Sequence, residues 1–149
     1  MQDQRNTIPR WVSLLYRYGQ MYISEQLEGH DLGKGQFMFL NALYKEDGLS
    51  QEELSNYLKI DKGTTAKALK KLEAQGYVSR KVRDADKRSY QIYLTQKSLD
   101  IKNEVRKVLV DWRLILSHGF TEEEEEQALL LLEKMGNNAA RFIEETKGG

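Results

Sequence analysis

Two short amphipathic segments separated by a tight break constrain the fold of this chain more than any other feature. The first opens with the four residues 50–53, SQEE, a capping box in which a serine and a glutamate satisfy each other's backbone amide groups. This segment ends at Ile60, and Asp61 is placed to cap a second helix over residues 62–75. Two short helices joined in this way predict a helix-turn-helix motif.

Apolar residues in both helices recur at the spacing of a face that packs on a core. The residues expected to face inward are Leu54, Tyr57 and Leu58 in the first helix, Ile60 in the turn, and Leu69 and Leu72 in the second helix. The second helix also carries a set of exposed bases, namely Lys62, Lys67, Lys70 and Lys71.

A β-hairpin is predicted directly after the lysine-rich helix. Strands are expected over residues 77–81 and 90–94, because apolar and polar residues alternate in the second of these runs. Between them lies the charged stretch DADKR, residues 84–88, which in isolation is typical of a solvated turn. Helix, helix, lysine-rich helix and hairpin are the order of a winged helix-turn-helix, so the predicted fold class is mainly α with one winged lobe.

Further helices are predicted on both sides of this lobe. Thr7 and Pro9 are typical of a helix start, and that helix is expected to end near Gly29. Helices are also predicted over residues 34–45 and 96–117, and the capping box TEEE at residues 121–124 opens the last one. We therefore predict a single domain, 1–149, in which residues 34–95 form the winged lobe and residues 1–33 and 96–149 form dimerisation helices.

The prediction of a dimer depends on the apolar faces of the terminal helices. These helices are too long to wrap a lobe of about 60 residues, so their apolar faces should pack on each other or on a second copy. A two-fold dimer would also match a two-fold DNA site; the alternative is a monomeric helical cap. The large residues that form these faces are Trp11, Leu15, Trp112, Ile115, Leu116, Leu132 and Phe142.

The formal net charge of the chain is zero, yet its charges are sorted along the sequence. Residues 59–88 contain ten bases and four acids, a net charge of +6, whereas residues 121–149 carry a net charge of −5. Sorted charge indicates a charged partner for one part of a chain, and the basic segment coincides with the predicted helix-turn-helix. Double-stranded DNA is the predicted partner.

The second helix is expected to lie in the major groove, where its N-terminal residues would contact base edges. Gly63 would let the backbone approach closely, and Lys70 and Lys71 are better placed for phosphates. The predicted contacts on this helix are Lys62, Gly63, Thr64, Thr65, Lys67, Lys70 and Lys71.

The charged stretch of the hairpin is predicted to contact the adjacent minor groove. Arg88 would insert there, where a narrow groove attracts cations, and Asp86 could orient its guanidinium group through a bidentate pair. Lys87 lies between them and is included in the predicted contact set. The solvated turn remains the alternative for this stretch taken alone.

The chain resembles the MarR family (multiple antibiotic resistance regulators) over about residues 50–98. The resemblance rests on TTAKALKKLEAQGYVSR at residues 64–80, on DKR at residues 86–88 and on IYLT at residues 92–95. It implies a homodimeric transcription regulator that places two winged lobes on a pseudopalindromic operator. Such regulators are commonly repressors that a small anionic or aromatic ligand releases from DNA.

Two positions depart from the family pattern. An acid and a proline are often found early in the wing, where this chain has Arg83 and Asp84, and the glycine that often follows the L-T pair is Ser98 here. In relatives the ligand pocket tends to lie between the dimer helices and the lobe. Tyr16, Arg17 and Tyr18 are candidates to line it, although each would also fit an ordinary core or surface position.

Several other kinds of site are not expected. The absence of cysteine excludes disulfides, thiolate metal sites and thiol-based peroxide sensing. His30 and His118 are expected to be solvated or locally bonded, and the glutamate run 122–126 suits a helix N-terminus. The GKG of residues 33–35 lacks the strand that precedes a phosphate loop.

The sequence therefore predicts no enzyme, cofactor or metal site. It also shows no membrane segment or signal peptide, so a cytoplasmic location is expected. The alternatives to a sequence-specific regulator are a protein-interaction module that uses the winged helix or the acidic last helix, and an architectural or RNA-binding winged helix without operator specificity.

Overall fold

The computed structural model describes residues 7–33, 35–83 and 86–147, with the backbone alone for residue 83 and residues 86–89. These residues are mainly helical and include one antiparallel hairpin, which confirms the predicted fold class. The chain divides into two compact units, Met1–Trp112 and Arg113–Gly149. Whether residues 1–149 act as a single domain stays a prediction.

The elements follow the predicted order. They are α1 (Ile8–Gln26), a short 3-10 turn (Glu28–His30), α2 (Phe37–Lys45), α3 (Gln51–Leu58), α4 (Lys62–Ala74), β1 (Val78–Arg83), β2 (Asp86–Leu94), α5 (Gln96–Asp100), α6 (Lys102–Leu116) and α7 (Glu122–Lys147).

One hydrophobic core organises the first unit, with contributions from α1, α2, α3, α4 and α6 and from both strands. The buried residues of α3 and α4 include Leu54, Leu69 and Leu72, as predicted. The inward placement of Tyr57 was wrong, because its side chain is 58% exposed. Ser55 is buried on α3 instead, and its hydroxyl donates to the carbonyl of Ile60 at 2.5 Å.

The predicted helix caps are confirmed. Ser50 Oγ accepts from the Glu53 amide at 3.1 Å, and a Glu53 carboxylate oxygen accepts from the Ser50 amide at 3.1 Å. Thr121 and Glu124 form the same reciprocal pair at 3.1 and 3.0 Å. Because each pair satisfies two amides that have no partner within the helix, the starts of α3 and α7 are determined locally.

The helix predicted over residues 96–117 is interrupted at Ile101, whose φ and ψ are −101° and 4°. The Tyr44 hydroxyl donates to the Ser98 carbonyl at 2.5 Å, and in a continuous helix that carbonyl would accept the Lys102 amide. Ser98 also closes the first turn, because its hydroxyl oxygen accepts from the Thr95 amide at 3.0 Å. The serine that replaces the usual glycine is therefore a capping residue.

The hairpin is longer than predicted. Its register pairs Val78 with Leu94 and Val82 with Tyr90, then shifts so that Arg83 pairs with Asp86. This shift places residues 87–89 between two paired positions of β2, and the backbone of Asp86, Lys87 and Arg88 belongs to the strand. The strands were predicted to end at residue 81 and to resume at residue 90, so the prediction made the hairpin too short.

The loop before α3 supports the base of the hairpin. The Gly48 amide donates to the Ile92 carbonyl at 3.0 Å, and the Ile92 amide donates to the Leu49 carbonyl at 2.9 Å. Gly48 has a φ of +81°, and a Cβ there would lie 3.0 Å from the Tyr93 ring. A side chain at this position would be strained both by the backbone and by the neighbouring ring.

Helices α1 and α6 meet through an aromatic contact in the first unit. The rings of Tyr22 and Trp112 stack with their centroids 5.1 Å apart. Gly19 lies beside the indole, since a Cβ there would be 3.3 Å from Trp112 Nε1. Trp112, which was assigned to the dimer-forming stripe, thus has one face occupied within its own chain.

The second unit contains the end of α6 and the whole of α7. Arg113 Nε donates to Glu125 Oε1 at 2.6 Å. None of the residues described in α7 is buried, and most of its large apolar side chains are exposed: Leu129, Leu130, Leu131, Leu132, Phe142 and Ile143. Across the described ranges, no helix combines the length and the apolar character needed to cross a membrane.

Candidate nucleic-acid interface

The turn between α3 and α4 is held by backbone and side-chain bonds. Lys59 adopts a left-handed conformation with a φ of 57°, and the Ile60 amide donates to the Ser55 carbonyl at 3.1 Å. The Ser55 hydroxyl closes the opposite side by donating to the Ile60 carbonyl. These bonds fix the direction in which α4 leaves α3.

The N-terminus of α4 is held by Asp61 through two hydrogen bonds from one residue. The Thr64 amide donates to Asp61 Oδ1 at 2.8 Å, and the Thr64 hydroxyl donates to Asp61 Oδ2 at 2.8 Å. The first bond is the predicted cap. The second was missed by the sequence reasoning, although the D-x-x-T spacing is compatible with it.

Most of the α4 residues that were predicted to contact DNA are exposed. Gly63, Lys67 and Lys70 follow the spacing i, i+4 and i+7, and this stripe lies opposite the buried pair Leu69 and Leu72. The exposed members of the predicted set are Lys62, Gly63, Thr64, Lys67, Lys70 and Lys71. Helix α4 therefore has an apolar inner side and a cationic outer side.

Thr65 does not belong to that outer side. Its side chain is fully buried, with 0% exposure, so its predicted contact with DNA is wrong for this conformation. Thr65 precedes Leu69 by four residues and Leu72 by seven, which places it on the inner face of α4. Its hydroxyl oxygen has no hydrogen-bond partner within the described part of the chain.

Lys71 lies at the edge of the cationic side. A Cβ on Gly33 would be 3.5 Å from Lys71 Nζ, so this ammonium group lies close to the loop before α2. The Gly33 amide donates to Gln36 Oε1 at 2.8 Å and shapes that loop. The position suits a phosphate contact at the margin of the helix better than a base contact at its centre.

Arg80 connects α4 to the hairpin, a role that the sequence reasoning did not assign. Arg80 Nε lies 3.2 Å from a Glu73 carboxylate oxygen, an ion pair without the geometry of a hydrogen bond. The Arg80 guanidinium group also lies 5.9 Å from the centroid of the Tyr90 ring. Lys81 is placed similarly, 5.0 Å from the Tyr93 ring. The pair with Glu73 links the base of the hairpin to the C-terminal turn of α4, and the two ring contacts join β1 to β2.

The predicted wing contacts are described only by their backbone. Asp86, Lys87 and Arg88 lie on β2 near the tip of the hairpin, and their side chains lie outside the described residues. The pairing of Asp86 with Arg88 and the direction of Arg88 relative to Lys67 therefore stay predictions.

A polar network holds the C-terminal end of α4. The Tyr77 hydroxyl donates to the His30 carbonyl, and Gln75 Nε2 donates to the Asp31 carbonyl at 2.7 Å. Lys97 Nζ donates to the Gln75 carbonyl at 2.7 Å. Burial, with a smaller contribution from Asp31, raises the pKa of the Tyr77 phenol above its ordinary value.

His30 is bonded to a residue far from it in the sequence, rather than solvated or locally bonded as expected. Its Nε2 lies 2.7 Å from a Glu104 carboxylate oxygen, which joins the turn after α1 to α6. His118 is exposed. Among the residues that the structure describes, no cluster of three potential metal ligands occurs.

A cleft of about 370 Å³ brings together two of the three candidate effector contacts. Tyr16 and Arg17 line it, together with Gln20, Met21 and Gly35, whereas Tyr18 does not. Gln20 Oε1 is buried without a hydrogen-bond partner in the described ranges. Gln20 was not among the predicted residues, although it follows Tyr16 by one helical turn and so shares its side of α1.

The comparisons with known proteins agree with this geometry. A family model described as "MarR family" matches residues 30–89. The chain is also 44% identical to a MarR transcriptional regulator from Methanosarcina mazei Go1, with a TM-score of 0.83 over 91% of this chain and 97% of that one. The chain belongs to the MarR family.

Two further relatives are similar over nearly the whole chain. The uncharacterized HTH-type transcriptional regulator YybA of Bacillus subtilis is 29% identical over 97% of this chain and 96% of its own length. A MarR family regulator from Listeria monocytogenes, solved in complex with a 26mer DNA, is 26% identical, with a TM-score of 0.89 over 97% of each chain. This MarR protein is a transcription regulator with a DNA-binding fold rather than an enzyme.

Proposed function

We propose that this MarR protein is a cytoplasmic, homodimeric repressor that binds a pseudopalindromic operator and is released from it by a small anionic or aromatic ligand. The observation that carries the proposal is the two-sided character of α4. Its inner residues, Leu69 and Leu72, are fully buried, while Lys67 and Lys70 are exposed on the opposite side of a helix held at both ends.

The exposed side of α4 suits the major groove. A lysine ammonium group offers three donors and no acceptor, so Lys67 fits the O6 and N7 acceptors of guanine. Gly63 presents no side chain on the same stripe and allows the backbone to come close to the bases. Lys70 and Lys71 lie further along the helix, where contacts to phosphates would position it.

The hairpin would extend the interface to the minor groove. Arg88 lies near the tip of β2, and a narrow minor groove has a negative potential that attracts arginine. Asp86 would hold the guanidinium group in the orientation needed for insertion. The hairpin is anchored to α4 through Arg80, which supports the proposal that helix and wing act as one unit.

A second copy of the chain is proposed to cover α7. Leu129 and Leu132, which lie in one apolar stripe of α7, are each more than half exposed, and Phe142 is 65% exposed. Apolar area of this extent is unusual on a soluble monomer and is typical of an interface. Dimerisation would also place two copies of α4 on a two-fold operator.

The cleft beside α1 supports the proposal of an effector. Arg17 supplies a cation for a carboxylate, Tyr16 an aromatic wall, and Gln20 an unpaired buried acceptor that a ligand hydroxyl could satisfy. An aromatic carboxylate with a donor group would match all three. Release from DNA would follow if this ligand bound better to a conformation that cannot span both half-sites.

The test is selection of bound fragments from random duplex DNA, followed by salt titration of the selected and a scrambled duplex. We expect an inverted repeat to be selected. Its log affinity should fall linearly with log salt concentration, because lysine–phosphate contacts release counterions. Equal affinity for the scrambled duplex would contradict sequence-specific regulation and favour an architectural role.

The effector part has its own test. Hydroxybenzoate isomers should displace the wild-type protein from the selected duplex, and Arg17→Gln should require a higher concentration of ligand with unchanged affinity for DNA. Tyr18→Phe is the control, because Tyr18 does not line the cleft. Equal sensitivity of the wild type and the Arg17 variant would show that the cleft does not bind the ligand in the proposed way.

A further inference from the structure

The bond between Thr64 and Asp61 determines what Thr64 can offer to DNA. A threonine hydroxyl has one proton to donate and two lone pairs to accept with. In α4 the proton is directed to Asp61 Oδ2 at 2.8 Å, and the amide of the same residue is directed to Asp61 Oδ1. Thr64 is exposed, so what remains for a partner is an acceptor and a methyl group.

The rest of the helix keeps Thr64 in this state. Asp61 is the N-cap of α4, with an extended backbone (φ −62°, ψ 157°), and its carbonyl accepts from the Thr65 amide at 3.0 Å. Thr65, the next residue in the sequence, is fully buried. Its burial fixes the direction of the first turn of α4. The cap and the threonine are therefore one rigid group at the N-terminal end of the exposed side of α4.

An acceptor beside a methyl group discriminates between base pairs. In the major groove an A·T pair shows the N6 donor of adenine and the methyl group of thymine, whereas guanine shows only acceptors, N7 and O6. The first pair would match the free lone pair and the methyl group of Thr64. In a G·C pair, guanine offers no donor to the hydroxyl oxygen or to the nearby Asp61 carboxylate, and cytosine, whose N4 group can donate, has no methyl group for Thr64 to contact.

We propose that Asp61 and Thr64 together select an A·T pair in each half-site: Asp61 holds the threonine proton, and Thr64 presents its lone pair to adenine and its methyl group to thymine. The inference rests on the proposed function, since it requires α4 to lie in the major groove. Thr64 is the reading residue, and Asp61 is a positioning residue that determines which hydrogen-bonding role Thr64 plays.

The experiment uses the full chain and the duplex selected as described above. Each thymine is replaced in turn by deoxyuridine, which removes the methyl group, and each adenine by purine, which removes the N6 amino group. We expect one thymine per half-site at which deoxyuridine lowers the affinity of the wild type about fourfold, the size expected for one apolar methyl contact. Loss of the amino group from its partner adenine should lower the affinity by a similar factor.

Three variants separate the two halves of the contact. Thr64→Ser keeps the hydroxyl group but lacks the methyl group. Its affinity should not change with deoxyuridine at that position but should still fall with purine. Thr64→Val keeps the methyl and should show the opposite pattern. Asp61→Asn preserves a helix cap but can donate to the Thr64 oxygen, so the preference for A·T over G·C should fall from roughly tenfold towards twofold.

The outcomes distinguish this inference from the proposed function. The inference is overturned if an operator is selected but no deoxyuridine substitution lowers the affinity of the wild type. It is also overturned if deoxyuridine lowers the affinity of Thr64→Ser as much as that of the wild type. In both cases the proposed function stands. If no sequence is selected at all, the proposed function fails first. Circular dichroism at increasing temperature verifies that the three variants are folded.

Discussion

Helices α4 and α7 are both amphipathic and both start at a local cap, yet they use their apolar sides differently. Helix α4 buries Leu69 and Leu72 completely within its own chain and exposes lysines. Helix α7 buries none of its described residues and exposes leucines and phenylalanine. One helix is therefore positioned by the chain itself, and the other requires a further surface to cover it.

The difference shows what each helix is suited to do. Because its inner side is fixed, α4 can present charged groups in a constant arrangement, which recognition of a base sequence requires. Because its apolar side is uncovered, α7 provides area for association. In the proposed function the two properties are complementary, since the proposed two-fold operator would need two copies of α4.

The largest expected effect concerns the packing of α4. Leu69→Ala should lower the free energy of unfolding by about 2–5 kcal/mol, because it leaves a cavity at a fully buried site. Lys70→Ala, its neighbour on the exposed side, should change stability by less than about 0.5 kcal/mol. Urea denaturation measures both. Similar losses for the two variants would mean that α4 has no distinct inner side.

The next effect concerns α7. Leu132→Ala should weaken the dimer by about 1.5–3 kcal/mol per subunit, because Leu132 lies in the apolar stripe with Leu129. Leu130→Ala is the matched control, since Leu130 is similarly exposed but lies on the other side of the helix from Leu132. Sedimentation equilibrium measures the association. An unchanged dimer in Leu132→Ala would contradict the assignment of this face.

A third test separates DNA contact from both kinds of packing. Arg88→Ala should weaken operator binding by about 1–3 kcal/mol, with unfolding and dimerisation unchanged. Arg88→Lys should recover only part of this loss, because an ammonium group lacks the planar fork of a guanidinium group. Fluorescence anisotropy with the selected operator measures both variants. Full operator affinity in a folded Arg88→Ala dimer would remove the wing from the interface.

The smallest effect concerns Tyr44, at the break between α5 and α6. Tyr44→Phe should cost about 0.5–1.5 kcal/mol of stability at neutral pH, because the bond to the Ser98 carbonyl is lost. Burial, and secondarily Tyr77, raises the pKa of Tyr44 from 10.0 to about 12. The stability contributed by the neutral phenol is present below pH 10 and is lost as the pH rises through about 12.

The stability difference between the wild type and Tyr44→Phe should therefore narrow between pH 10 and pH 12. Urea denaturation across this interval measures it, and because both proteins share their other titrating groups, the difference isolates Tyr44. A difference that widened with pH would contradict the raised pKa.

Local chemistry explains which predictions succeeded. The starts of α3, α4 and α7 were correctly placed because a cap acts within four residues and needs no other part of the chain. The buried leucines of α3 and α4 were correct because helical spacing places them on one side. The family resemblance came from the segment where these local signals are densest, and the comparisons confirm it.

Contacts between distant residues explain the errors. Tyr57 was expected inside because it is large and apolar, but the turn to α4 requires the small Ser55, whose hydroxyl reaches Ile60. The break at Ile101 follows from Tyr44, which is far away in sequence. The extension of β2 through Asp86 follows from pairing with β1, which a charged sequence does not indicate. The error at Thr65 has another origin, because its spacing of four residues from Leu69 already indicates the inner side of α4.

The sequence by itself determined the order of the elements, the caps, the cationic helix and the family, since these depend on short-range bonding and on periodicity. Only the tertiary structure decided that Thr64 gives its proton to Asp61 and that Gln20 lines the cleft with Tyr16 and Arg17. Orientation and hydrogen-bonding role depend on which neighbours arrive in space, and the order of residues does not specify those neighbours.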